Sequence, residues 1–216
     1  MPADYVQIRE ENIRRYGTET AHLALLGDLY SDRTHFIFEL LQNAEDAKAS
    51  TVQFQLLTNA LELSHDGRLF NTDDVRGISS VCQSTNRGDP ERIGRFGIGF
   101  KSVYAYTRHP EVHSGDEHFC IEHYVRPLKA VPRTPVAGLT TLIALPFSGS
   151  AVETAQAQQE IKRAFRRLDP TTLLFLRHVK RVEVSADGVP AVVLERRRTD
   201  QLSPWVRLVE LGSAMN

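Results

Sequence analysis

Hydrophobic residues recur with a helical period between Asp32 and Ala49, which predicts an amphipathic helix with Asp32 as its cap. Its apolar face comprises Phe36, Ile37, Leu40, Leu41, Ala44 and Ala47. Glu39, Asn43 and Asp46 form a polar stripe along the border of this face. The solvent side is predicted to carry Gln42, Glu45, Lys48 and Ala49. Polar groups at the edge of a core need partners, which a nucleotide with its metal ion or ordinary capping and ion-pair groups would supply.

Elsewhere the pattern alternates between helical and strand periods, which indicates one mixed α and β domain over residues 1–216. Helices are predicted over 4–30 with a break near Gly17, over 71–80, after Gly99 and over 151–168. Strands are predicted over 51–57, 61–64, 117–125, 139–146, 179–185, 190–195 and 205–211. The polar stretch 81–92 is predicted to be a mobile loop, and the piece containing Pro127, Pro132 and Pro135 a second loop.

Composition narrows the function classes. The chain has 216 residues and a net charge of -1, so no overall field favours nucleic acid or an anionic membrane. Basic residues interleaved with stacking aromatics are absent, and no apolar run approaches the ~18 residues of a membrane span. Cys82 and Cys120 have no motif spacing, which favours a reducing compartment and therefore the cytoplasm.

A glycine-rich segment is the second candidate site. Gly94, Gly97 and Gly99 are spaced G-x-x-G-x-G ahead of the helix predicted after Gly99. Glycines allow the backbone to approach a ligand closely, and N–H groups at a helix start favour phosphate. Phe100 puts Lys101-Ser102 one residue out of register for a P-loop, and Ser102 stands where a dinucleotide motif has its third glycine. Phosphate binding and a structural turn both remain open.

A cluster of potential metal ligands lies in one short stretch. It comprises His109, His113, His118, Cys120 and His123. In the strand predicted over 117–125, His118, Cys120 and Glu122 share one face, whereas His123 falls with Phe119 and Ile121. This division gives poor ligand geometry for zinc, and no zinc site is predicted.

Three motifs in a fixed order resemble the GHKL ATPase superfamily of gyrase, heat-shock chaperone ATPases, histidine kinases and MutL. They are E-L-L-Q-N-A-E-D-A on a helix, D-G after a strand, and I-G-R-F-G-I-G-F-K-S-V-Y after a polar loop. Within the superfamily the chain is most similar to the sacsin N-terminal ATP-binding group, over about residues 18–185. The resemblance implies an α+β fold: a two-layer sandwich with a mixed, mainly antiparallel sheet and helices on one face. It also implies that the domain is the N-terminal part of a larger protein.

The resemblance implies roles for individual residues. Glu39 matches the residue that orients or deprotonates the attacking water, and Asn43 matches the ligand of Mg²⁺. Asp66 matches the acceptor for the adenine amino group, Thr141 supports that contact, and Asp46 is structural or near the nucleotide. The remaining nucleotide-binding positions are Gly67, Gly94, Arg95, Phe96, Gly97, Ile98, Gly99, Phe100, Lys101 and Ser102. For Lys101, a γ-phosphate contact and a solvated helix lysine are the two alternatives. The family's D-x-G-x-G is here Asp66-Gly67-Arg68-Leu69-Phe70, without the last glycine.

These roles imply a Mg²⁺-dependent ATP-binding domain that hydrolyses ATP slowly to ADP as residues 80–96 close over the site. ATP-dependent homodimerisation through residues 1–30 is a further expectation. The alternative is a nucleotide-gated interaction module of a larger protein with little or no turnover, or a scaffold with a degenerate pocket. Neither a membrane nor a nucleic-acid partner is expected.

Overall fold

The computed structural model describes residues 1–26, 32–81, 99–186, 189–203 and 206–215. The helices are α1 (Tyr5–Tyr16), α2 (Phe36–Asp46), α3 (Thr72–Ile78) and α4 (Ala151–Phe165). Short 3₁₀ helices span Ala21–Leu26, Arg33–His35, Gly99–Ala105 and Pro170–Phe175. The strands are β1 (Thr51–Leu56), β2 (Ala60–His65), β3 (Glu111–Ser114), β4 (Glu117–Glu122), β5 (Arg126–Lys129), β6 (Thr141–Pro146), β7 (Arg181–Ala186), β8 (Val189–Ser203) and β9 (Val206–Met215).

All these strands form a single sheet in the order β5-β4-β3-β6-β2-β1-β7-β8-β9. Only β1 and β7 pair in parallel among the described neighbours, and the other pairs are antiparallel. The predicted α+β class with a mixed, mainly antiparallel sheet is therefore confirmed.

One face of the sheet carries the core. Along β1, Val52, Phe54 and Leu56 are buried and their neighbours are only partly buried, as the predicted alternation requires. Across the sheet Phe54 lies opposite Leu63, and Leu63 lies opposite Ile143. Buried residues of α1, α2 and α4 belong to the same apolar cluster as these strand residues. The helices therefore pack on this face and fix the position of α2 over the sheet.

Local chemistry explains where the predicted helices begin. Asn71 and Asp74 form a capping box at α3, and Ser150 and Glu153 form another at α4. Asp32 caps the 3₁₀ helix Arg33–His35 ahead of α2 instead of α2 itself, so α2 is shorter than predicted.

Three predictions about elements are corrected. The segment that begins at Gly99 forms a 3₁₀ helix rather than an α-helix. Only one strand was predicted between residues 109 and 130, and this region contains three, β3, β4 and β5. Pro127 lies in β5, which is an edge strand, where a missing N–H removes no bond within the sheet. On α2, Glu45 is buried and so is Ala49 just beyond it, although both were predicted to face solvent.

None of the helices in the described part of the chain is long and apolar enough to cross a membrane.

Candidate functional site

The polar stripe of α2 lies where its periodicity predicts. Glu39, Asn43 and Asp46 are each partly buried, while Phe36 and Leu40 beneath them are fully buried. The helix therefore presents a carboxylate, an amide and a second carboxylate along the edge of the core.

The first of these carboxylates lies directly against the end of the glycine-rich segment. A Cβ added to Gly99 would lie 1.9 Å from Oε2 of Glu39, so only glycine permits this contact. The other oxygen, Oε1, lies 3.2 Å from Nε2 of His35, one helical turn earlier. Sequence reasoning missed His35, although its i,i+4 spacing from Glu39 was a usable signal. The structure thus joins α2 and the Gly99–Ala105 helix at Glu39.

At its other end, α2 meets the turn that follows β2. Gly67 lies so close to Ala47 that an added Cβ would be 2.8 Å from the Ala47 Cβ and carbonyl oxygen. The N–H of Arg68 donates to that carbonyl at 2.8 Å. The side chain of Arg68 forms two hydrogen bonds with the carboxylate of Asp74, at 2.5 and 2.7 Å.

A small cavity of about 10 Å³ lies between these elements, with room for about one water molecule. Its lining is Asn43, Ala47, His65, Arg68, Phe70, Asp74, Ile78 and Ile143. The side chain of Asn43 makes no hydrogen bond to any residue that the structure describes. The amide is therefore available on the cavity wall.

His65 and Asp66 point in different directions. His65 closes β2 opposite Thr141, is 2% exposed, and accepts a hydrogen bond at Nδ1 from the Gly67 N–H at 3.1 Å. Burial lowers the pKa of His65 to about 4, so its ring is neutral near pH 7.

The carboxylate of Asp66 instead binds the start of β1. It accepts from the N–H groups of Ser50 and Thr51 at 2.7 and 2.8 Å and from the Ser50 hydroxyl at 2.5 Å. Burial opposes ionisation, but these hydrogen bonds outweigh it and hold the pKa of Asp66 below its usual value. The predicted adenine contact of Asp66 stays a prediction, and the contacts seen in the structure are to its own chain.

Thr141 lies beside His65 in the sheet and is fully buried. Its hydroxyl is 2.6 Å from the hydroxyl of Ser114. The neighbouring Thr140, which sequence reasoning missed, donates its hydroxyl to the carbonyls of His65 and Gly67 at 3.1 and 2.6 Å. Thr140 therefore holds the turn after β2 in place, while Thr141 links β6 to β3.

Lys101 requires a correction, because it is not a solvated helix lysine. It is completely buried, and its Nζ donates to the carbonyls of Ile78 and Tyr124 at 2.6 and 2.5 Å. Burial lowers its pKa to about 7. The alternative, a γ-phosphate contact, stays a prediction, and the contacts seen in the structure are to the protein's own carbonyls.

The other loop positions divide into two groups. Phe100 belongs to the apolar core, and Ser102 donates to the carbonyl of Gly99 at 2.6 Å. Gly94, Arg95, Phe96, Gly97 and Ile98 lie outside the described residues, as does most of the predicted lid over 80–96.

The histidine and cysteine cluster does not gather into a site. His118 and Cys120 share one face of β4 and Phe119 and Ile121 the other, as predicted, but the prediction for His123 is wrong because it is exposed in a turn with φ 49°. Within the described ranges, no group of three or more His, Cys, Asp or Glu side chains is arranged to hold a metal ion.

Comparison with known proteins gives a consistent family signal. A family model described as the Sacsin domain matches residues 55–127. Protein NO VEIN of Arabidopsis thaliana is 32% identical over 179 residues, which cover 71% of this chain and 6% of that protein. Sacsin of Homo sapiens is 32% identical over 119 residues, which cover 47% of this chain and 3% of that protein. The chain therefore spans only a small part of the length of either relative.

Proposed function

Because the chain is sacsin-like, with a Sacsin-domain match across β2, α3 and β4, we propose that it binds Mg²⁺–ATP along the polar stripe of α2 and hydrolyses it slowly. The observation that carries this proposal is the contact between Glu39 and Gly99. It places a carboxylate at the end of a glycine-rich segment, and Asn43 lies one helical turn further along beside a cavity. The spacing suits a triphosphate that runs from the cavity towards Glu39.

Glu39 is the proposed general base. Transfer of a phosphoryl group to water depends on the position of the nucleophile and on stabilisation of charge rather than on covalent catalysis. Glu39 accepts a proton from water, and His35 at 3.2 Å from Oε1 holds the carboxylate in one orientation. Gly99 leaves room for Oε2 beside the backbone.

The residues lining the cavity are able to provide one protein ligand for Mg²⁺. Mg²⁺ takes one or two protein oxygens and completes its coordination with water and phosphate oxygens. The Asn43 amide has no hydrogen-bond partner among the described residues and lines the cavity, so it is suited to this role. When bound, the ion would neutralise phosphate charge.

The setting of this activity follows from the size of the relatives. Because this chain spans 6% and 3% of their lengths, we propose that the nucleotide state of the domain controls further domains of a larger, cytoplasmic protein. Such control does not depend on fast hydrolysis, so the proposal also applies if the domain is a nucleotide-gated module with little turnover.

Two substitutions on α2 separate binding from chemistry. Glu39→Ala should lower the rate of phosphate release by about 10²–10⁴-fold, the usual contribution of a general base, with the Kd for ATP changed less than about threefold. Asn43→Ala should weaken ATP binding only when Mg²⁺ is present. Gln42→Ala, on the same helix and outside the cavity lining, is the matched control and should change neither quantity.

Calorimetry and phosphate release are measured on the same preparations. Wild-type turnover in Glu39→Ala would refute the role of Glu39. Binding without any turnover that depends on Glu39 would favour the gated module. If calorimetry detects no ATP binding to the wild type, the proposed function is wrong.

A further inference from the structure

The side chain that reaches the cavity from the end of β2 is His65, and Asp66 is turned away from it. Successive residues of a strand point to opposite faces, and His65 follows Leu63 onto the helix-covered face. The ring lines the cavity together with Asn43 and is 2% exposed. The carboxylate of Asp66 is engaged by Ser50 and Thr51.

The hydrogen bonding of the ring determines what it is able to offer to a ligand. Nδ1 accepts the N–H of Gly67, so a neutral ring carries its proton on Nε2. No residue in the described ranges hydrogen-bonds Nε2. Because the ring lines the cavity, its Nε2–H is available to donate to an acceptor atom of a molecule that enters there.

On the basis of the proposed function, we propose that His65, and not Asp66, orients the nucleobase by donating a hydrogen bond from Nε2 to a ring nitrogen of the purine. A carboxylate at this position would select the exocyclic amino group of adenine, because that group is a donor. A neutral imidazole N–H selects an acceptor instead, and adenine presents such acceptors at its ring nitrogens.

Entry of a base requires movement of the cavity wall, since the present volume of about 10 Å³ admits about one water molecule. Arg68 forms part of this wall, and its side chain is held at the surface by Asp74. Arg68 is exposed but the Asp74 carboxylate is buried, so separating this pair leaves a buried charge without its cation and opposes opening of the cavity. Binding of the base must offset the displacement of Arg68, while His65 stays fixed by the sheet and by Gly67.

The test compares ATP with analogues that each lack one atom of the base, using calorimetry with Mg²⁺ on the whole chain. Purine riboside triphosphate lacks the amino group and should bind within about threefold of ATP. One of the 1-, 3- and 7-deaza analogues of ATP should bind roughly tenfold more weakly, because it lacks the acceptor for Nε2.

Variants assign this discrimination to one residue. His65→Leu should abolish the difference between ATP and the sensitive deaza analogue, whereas His65→Gln, which keeps an N–H donor near the Nε2 position, should retain it. Asp66→Asn should lower thermal stability but leave the ranking of the analogues unchanged. If His65→Leu does not fold, the wild-type analogue series and His65→Gln still decide.

Two results overturn the inference. A loss of tenfold or more for purine riboside triphosphate that disappears in Asp66→Asn would return base recognition to Asp66 and leave the proposed function intact. Absence of binding by every triphosphate would overturn the proposed function together with this inference.

Discussion

At the scale of single residues, the buried Lys101 makes the stability of the domain depend on pH. It donates to two carbonyls, which matches the two N–H bonds of a neutral amine, and its pKa is about 7 against an ordinary value of 10.5. Between these two values the unfolded chain binds the proton and the folded chain does not. Stability should therefore rise as pH increases from about 7 to about 10.

The measurement is urea unfolding at pH 7 and pH 9. We expect the wild type to gain roughly 2 kcal/mol over this interval relative to Lys101→Met, which cannot bind the proton. Lys129→Met removes an exposed lysine and serves as the control that should keep the wild-type slope. Parallel pH profiles for the wild type and Lys101→Met would show that Lys101 is charged in the folded state.

Sequence reasoning located the candidate motifs but not the direction of individual side chains. His65 and Asp66 are adjacent, and only the point at which β2 ends decides which of them faces the helices. Lysine is a residue type that is usually exposed. The burial of Lys101 depends on carbonyl acceptors at Ile78 and Tyr124, both more than 20 positions away. Neither contact has a signal in local spacing.

The junction between α2 and the Gly99–Ala105 helix is the element-scale feature on which the proposed chemistry depends. In Gly99→Ala the new Cβ would lie 1.9 Å from Oε2 of Glu39, so the carboxylate must move. We expect ATP turnover to fall at least about tenfold, because a displaced base loses its alignment. Circular dichroism should remain that of the wild type.

A double-mutant cycle makes this prediction specific. In the Glu39→Ala background the clashing atoms are absent, and adding Gly99→Ala should have no further effect on turnover. Additive losses would show that Gly99 acts through its own backbone rather than through Glu39.

At the scale of elements, α2 was the most predictable part because its period of apolar residues specifies one buried face. The prediction that Glu45 of this helix faces solvent was wrong, because its partners lie far away in the sequence. The carboxylate accepts the N–H groups of Arg177, His178 and Val179, a segment more than 130 positions later. Burial opposes ionisation, but these bonds outweigh it and lower the pKa of Glu45.

β5 was not predicted because Pro127 indicates a loop unless the strand is known to lie at the edge of the sheet.

At the scale of the whole molecule, closure of residues 80–96 and self-association stay predictions, and the structure limits which surface is available. The start of the chain, up to and including α1, is docked on the rest of the domain: Tyr5 and Ala3 hydrogen-bond the buried carboxylate of Glu117, and Ile8 is buried. The outer side of α1, including Val6 at 67% exposure, is the part of this helix that is free to meet a second copy.

Hydrogen exchange with nucleotides tests both expectations. Protection of residues 80–102 should rise more with a non-hydrolysable ATP analogue than with ADP, because only the former presents a γ-phosphate. Light scattering should then detect a dimer that Val6→Asp weakens and the exposed control Glu10→Gln does not. Equal protection by both nucleotides would indicate a static binding domain.

The parallel pairing of β1 with β7 also sets the order in which this domain is able to form during synthesis. Thr51 lies opposite Arg181, so the second neighbour of a central strand emerges from the ribosome about 130 residues after β1 itself. At ~5–20 residues per second this interval is roughly 7–26 s. During that time β1 has one open edge with Val52, Phe54 and Leu56 beside it, a surface that invites pairing with other nascent chains. In a long polypeptide, the segment up to β7 would therefore be a natural point for chaperones to bind.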